Sequence, residues 1–187
     1  TIYNHEVNAH QPIGITFIGS PTGKISIKSS GSGNVVLEGA LLNAAGDISI
    51  TTQTGGIYAV DESGKVTAKN ISLEAGSDIG LINNPLPLQL AGNTGALTAK
   101  SSSGNIYVKH LSGDLRVNEI NSVVGNTGVI SAGSIVSGTN MISLITGNNI
   151  TLNAGKGIGS ISKNLKINSN TSNWNGKVNV TALEDIY

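Results

Sequence analysis

Cysteine is absent from the 187-residue chain, which excludes disulfides and thiolate metal sites and leaves the compartment open. Aromatic residues make up only 3%, too few for the large-ring cores of most β-sandwiches or the aromatic signatures of propeller blades. Charged side chains make up 12% and cancel, 11 basic against 11 acidic, so neither nucleic acid nor an anionic membrane surface finds an electrostatic counterpart. No apolar run approaches the roughly 18 residues of a membrane-spanning helix, and no membrane insertion is expected. The opening TIYNHEVNAH has no starting Met and neither the basic nor the apolar region of a signal peptide, and TALEDIY ends on an apolar alternation. The expectation is one segment, residues 1–187, of a longer chain.

What is present is glycine, 25 of them, set among Asn, Ser, Thr and β-branched aliphatics. Phrases of the form Gly, any residue, apolar, any residue, apolar recur: GKISI at Gly23, GNVVL at Gly33, GDISI at Gly46, GGIYA at Gly55, GKVTA at Gly64, GALTA at Gly95, GNIYV at Gly104, GDLRV at Gly113 and GKVNV at Gly176. Each alternates with period two, the mark of a strand with one buried face. Steps of nine residues link Gly46, Gly55 and Gly64, and again Gly95, Gly104 and Gly113, leaving about five residues for a strand and four for a turn. Gly, Asn, Asp and Ser are expected in the turns for their tolerance of positive φ and their side-chain-to-backbone hydrogen bonds. Small aliphatic side chains at regular intervals with polar turns suit a narrow coil whose rungs stack like on like. The expected fold is all-β, a parallel β-helix.

The longest repeat is NISLEAGSDIG from Asn70, echoed as NITLNAGKGIG from Asn149 at an offset of 79 residues, with seven of eleven positions identical. Leu86 and Leu88 continue the match with Leu165 and Ile167, so the echo joins residues 70–88 to 149–167. An offset of 79 residues reads as four coils of about 20, giving about nine coils in all. Pro85 and Pro87 break the match and are expected to end, bend or loop their rung.

The phrases GDISI, NISLEAGSDIG, NPLPLQLAGNTGALTA, GNIYV and GDLRV resemble the repeats of large filamentous-haemagglutinin-like exoproteins, the Gram-negative adhesins exported by the two-partner route, over roughly residues 23–187. The resemblance implies a right-handed β-helix, a secreted or cell-surface location and a role in adhesion or virulence. The partners it implies are a host-cell or surface receptor, which could be a glycan, and an outer-membrane transporter during export. The family's N-terminal secretion domain has no counterpart in the chain.

No catalytic site, metal site or cofactor is expected. HEVNAH places His5 and His10 five apart with no helical pattern, unlike the zinc-protease motif, and reads with Glu6 as solvated or strand-end residues. His110 is expected at an exposed strand end. Asp114 and Arg116 lie two apart in GDLRV and so share an outward face; they read as a solvated pair, with a cleft of a carbohydrate-cleaving or carbohydrate-binding β-helix as the alternative. The candidate binding residues are Trp174, in the polar turn NSNTSNWNGK, and Tyr58 and Tyr107 at outward strand positions. Sequons begin at Asn70, Asn149, Asn170 and Asn179; stacked amides hydrogen-bonding along a solenoid explain recurring turn Asn better than glycosylation does. The expectation is a non-enzymatic structural and adhesive rod.

Overall fold

A computed structural model describes residues 22–139, 143–169 and 175–187. Among them are fifteen strands and no helix: β1 (Lys24–Ser29), β2 (Val35–Leu37), β3 (Leu41–Thr52), β4 (Ile57–Ala59), β5 (Val66–Ala75), β6 (Leu86–Leu90), β7 (Leu97–Ser101), β8 (Ile106–His110), β9 (Leu115–Ser122), β10 (Thr127–Ser131), β11 (Ile135–Ser137), β12 (Leu144–Gly147), β13 (Ile150–Ala154), β14 (Lys166–Ser169) and β15 (Val178–Ala182). Every pairing between named strands is parallel, and the chain winds as a β-solenoid. One ladder runs β1, β3, β5, β7, β9, β12, β14 along the whole coil. A second starts with β2 and β4, passes Ile79, and continues through β8, β10, β13 and β15.

The period-two alternation explains the core. The third and fifth residues of the recurring phrase point inward, so Ile48 and Ile50, Ile57 and Ala59, Leu97 and Ala99, and Leu115 and Val117 are all buried. In the first ladder one inward column reads Ile27, Ile50, Leu73, Ala99, Ile120, Ile145, Ile167, an aliphatic stack seven rungs deep. Each large side chain buried there contributes about 1.5–3 kcal/mol. Buried hydroxyls close the corners after this ladder. Ser101 Oγ donates to the Ser77 carbonyl at 2.6 Å and accepts from the Gly104 amide at 2.9 Å, and Ser122 repeats the arrangement one rung on, with Gly104 and Gly125.

Three expectations are corrected. The coil is wider and shorter than expected: Ile25, Ile48 and Ile71 stack at 23-residue intervals, and there are about 6 turns of about 23 residues. At the usual strand spacing six turns span roughly 29 Å. The nine-residue steps count sides of one coil, since GDISI, GGIYA and GKVTA are consecutive sides of a single turn. Consequently the echo does not fall four rungs along its own column. Ile71 stacks on Ile48 and Leu97 in the first ladder, whereas Ile150 stacks on Thr127 and Val178 in the second.

Second, most phrase glycines are not there for positive φ, which among the described glycines occurs only at Gly80, Gly92, Gly113 and Gly159. Rungs approach too closely at the corners for a side chain. A Cβ on Gly46 would strike the Gly23 carbonyl, and one on Gly95 the Lys69 carbonyl. Third, Pro85 does follow a loop, the turn at residues 82–83, but Pro87 lies inside β6, paired with Lys109, so the rung continues past it. The ladder from β5 begins only at Leu88, one residue past the proline, which is why a missing amide is tolerated there.

Candidate functional site

One groove, of about 350 Å³, is lined from three levels of the coil, by residues within 89–93, by others within 110–116 and by Lys156. It contains Asp114 and Arg116, the pair singled out in the sequence, together with His110, which is 1% exposed and not the exposed strand-end residue expected. The alternation explains the difference. Ile106, Val108 and His110 are successive inward positions of β8, and His110 stacks between Leu88 and Ser131 in a core column. Extending the two-residue period one step beyond Val108 would have found it.

The imidazole is held by the Leu90 amide, which donates to Nε2 at 3.1 Å. With Nε2 accepting, the neutral ring carries its proton on Nδ1. That buried Nδ1 has no partner of hydrogen-bonding geometry. Burial lowers the pKa of His110; the Gly113 carbonyl and Asp114 oppose this, and Arg116 adds to it. The ring is therefore neutral at pH 7.

Asp114 and Arg116 share the outward face but make no ion pair with each other. Asp114 Oδ1 accepts the Ser134 amide of the next rung at 2.8 Å. Arg116 reaches to the preceding rung, donating from Nε to the Gly95 carbonyl and from Nη2 to the Gly92 carbonyl, both at 2.7 Å. Each charge thus secures a neighbouring turn. Gln89 and Ser112 also bridge rungs, Gln89 Nε2 donating to the Ser112 carbonyl while Ser112 Oγ donates to Gln89 Oε1, each at 3.0 Å. Among the described residues no group of His, Asp and Glu is placed to hold a metal ion.

Tyr58 and Tyr107 occupy outward positions, as expected, and the stacking of Ile57, Ile79 and Ile106 sets them in one column with Gly80 between them. The structure does not bring the two rings together. The Tyr107 ring covers Gly128, where a Cβ would come within 2.6 Å of Cδ1, and the Tyr58 ring folds back over Gly56. Each half-buried ring fills the space left by a glycine. Trp174, His5, Glu6, His10 and Asn170 lie outside the described residues.

The turn asparagines form the stacked-amide ladder anticipated from their recurrence. Asp78 Oδ1 accepts from the Asn105 amide and Nδ2; Asn105 Oδ1 accepts the Asn126 amide; Asn126 Oδ1 accepts from the Asn149 amide and Nδ2; Asn149 Oδ1 accepts the Lys177 amide. Two sequon asparagines are committed to such bonds, Asn149 here and Asn70 between Asp47 and Ala96, so a glycan on either Nδ2 would break the stack. Asn179 is exposed on β15. No family model, curated protein or solved structure matches the chain.

Proposed function

We propose that the chain is a structural and adhesive rod segment of a secreted or surface-exposed bacterial exoprotein, and not an enzyme. Its task in this reading is to space or present sites for a host-cell or surface receptor, with an outer-membrane transporter as its partner during export. The observation that carries the reading is the continuity of the axial bonding. A parallel ladder of seven strands is reinforced by an amide stack from Asp78 to Lys177, and the groove at Asp114 and Arg116 spends both charges on holding adjacent rungs. Such bonding resists shear between coils, as a load-bearing spacer requires. The phrases resembling filamentous-haemagglutinin-like repeats, GDISI to GDLRV, support the same assignment.

Beads coated with the chain should adhere saturably to epithelial cells, and the soluble chain should compete. Incubation with polysaccharides should release neither reducing ends nor unsaturated products. Release of either by the purified chain, abolished by Asp114→Asn, would overturn the non-enzymatic reading. Absence of competable adhesion would overturn the adhesive part and leave the spacer.

A further inference from the structure

We propose that His110 and Arg116 together latch the corner at residues 90–95, and that mild acid releases it. The device is independent of the rod reading, since it concerns one corner and not the bonding along the coil.

The corner is an excursion from the stack. Leu90 stacks on Ala68 and Leu97 on Ile71, yet two residues separate Ala68 from Ile71 and six separate Leu90 from Leu97. Gly92, Asn93 and Thr94 stand exposed above Leu90 and Ala96, which are buried. The rung before holds the excursion through the Ala91 amide, which donates to the Ala68 carbonyl at 2.8 Å. From the rung after, two side chains reach down to it. His110 Nε2 accepts the Leu90 amide, and Arg116 donates to the Gly92 and Gly95 carbonyls. Gln89 adds one bond of its own, to the Leu90 carbonyl.

Both of those side chains respond to one proton. The Leu90 bond exists because Nε2 carries a lone pair. A protonated imidazole has an N–H at each nitrogen, so Nε2 would face the Leu90 amide donor to donor. The ring is buried, and water has little access to relieve that conflict. The new cation would also stand beside the Arg116 guanidinium, which already acts on the ring as a like charge. If the guanidinium turns out to solvent it gives up the Gly92 and Gly95 carbonyls, so the loss of one lone pair loosens three bonds of the same corner.

Little else nearby opposes this. Asp114 is the acid that acts on the ring, and its Oδ1 is engaged by the Ser134 amide. Lys156, across the groove, is a further cation. The strands on either side, β6 and β10, set Leu88 and Ser131 against His110, and Lys109 beside it in β8 points outward to Glu62. Histidine is the side chain whose ordinary titration falls between neutral and mildly acid solution.

The test is amide hydrogen exchange of the full chain, read residue by residue by NMR at about pH 7.5 and about pH 5, on either side of the usual histidine range, with intrinsic rates divided out. Protection of Leu90 and Ala91 should fall severalfold, and at the lower pH it should lie at least about tenfold below that of Ile50 and Leu73 in the core. The midpoint of the fall should coincide with protonation of His110 Nε2, followed by its nitrogen shift. His110→Gln keeps an acceptor oxygen and does not titrate, so the step should vanish. Arg116→Lys, which keeps the charge and loses the two-pronged hold, should lower corner protection at both pH values and retain the step. Three results would overturn the proposal: Leu90 protection that stays flat while His110 titrates, Leu90 protection at pH 5 equal to that of Ile50 and Leu73, or a step that persists in folded His110→Gln. Should that variant not fold, the first two readings in the parent chain decide.

Discussion

Residues 70–80 and 149–159 carry nearly the same eleven residues on different sides of the coil, and their local structures agree almost bond for bond. In each, the leading Asn donates Nδ2 to an Asx oxygen on the rung before and accepts an amide from the rung after: Asn70 with Asp47 and Ala96, Asn149 with Asn126 and Lys177. Each then runs a strand with two inward aliphatics, Ile71 and Leu73 or Ile150 and Leu152. Each turns a corner and buries an isoleucine, Ile79 or Ile158, followed by a glycine of positive φ, 64° at Gly80 and 79° at Gly159. After a loop each enters a further strand, at Leu86 or Lys166. Yet the first belongs to the leading ladder and the second to the other. The phrase therefore encodes a strand-and-corner unit, and which side of the solenoid it occupies is decided by how many sides precede it.

The two copies differ in what lies above them. Gly80 is covered by the interior rung of Tyr107, whose carbonyl a Cβ would strike, along with the Leu86 amide at 2.5 Å. Gly159 faces Tyr187, which is 51% exposed in the last described rung. Gly80→Val should therefore be among the most damaging single changes. It combines the left-handed backbone penalty of about 1–2 kcal/mol with a backbone clash of at least similar size, and chemical denaturation should show a loss of about 3 kcal/mol or more. Gly159→Val should cost about half as much, because its neighbour can move. Equal losses would mean that the rung above plays no part.

The next contrast is in the core. Leu73 stacks between Ile50 and Ala99, both fully buried, whereas Leu152 stacks between Val129 and the half-buried Val180. Truncation to Ala should cost about 3–4 kcal/mol at Leu73 and about 2–3 kcal/mol at Leu152, where the looser rung can collapse into the cavity. Smaller again, Asn70→Ala should lose about 1–2 kcal/mol and Asn149→Ala about 1 kcal/mol, since the second amide is exposed and water can replace its bonds. Thermal midpoints in that order would support a shared unit in unequal surroundings.

The smallest effect concerns pH. Because burial depresses the pKa of His110 below its usual 6.5, the unfolded chain takes up that proton first as pH falls. Stability attributable to this group is complete above about pH 6.5 and declines below it, until the folded ring also titrates. Protonation requires Nε2, so it also breaks the Leu90 bond. His110→Leu should flatten this part of the stability profile measured between the histidine and carboxylate ranges, whereas an unchanged slope would place the titration in another group.

How much of this was legible follows from what each signal measures. Alternation reports which face is buried and nothing about distance, so the inward sets of GDISI, GGIYA, GNIYV and GDLRV were readable while the coil circumference was not. Nine-residue steps count sides, and equal sides give no mark of where a turn closes. His110 was misjudged by residue type, although its position two past Val108 was informative. The Leu90 amide on His110 and the carbonyls held by Arg116 depend on contacts between rungs some 20 residues apart, which no local pattern carries. The stacked amides were legible because their recurrence at turns is itself the signal.

If the phrase specifies a unit independent of its side, then deleting residues 71–149 should let the second copy take the place of the first. Asn70 would be followed by Ile150, and the inward spacing from Ile150 to Ile158 to Ile167 equals that from Ile71 to Ile79 to Leu88. In the parent, Ser72 pairs with Ser49, so in the deletion variant its counterpart Thr151 should stand on Ser49. Neighbouring rungs put such Cα atoms about 4.8 Å apart, within disulfide range, and the chain has no cysteine to interfere. The decisive measurement is oxidation of the deletion variant carrying Ser49→Cys and Thr151→Cys. Rapid, near-complete cross-linking in a folded β protein is the expected result. An unfolded chain, or a folded one in which these two thiols stay free, would contradict a side-independent unit.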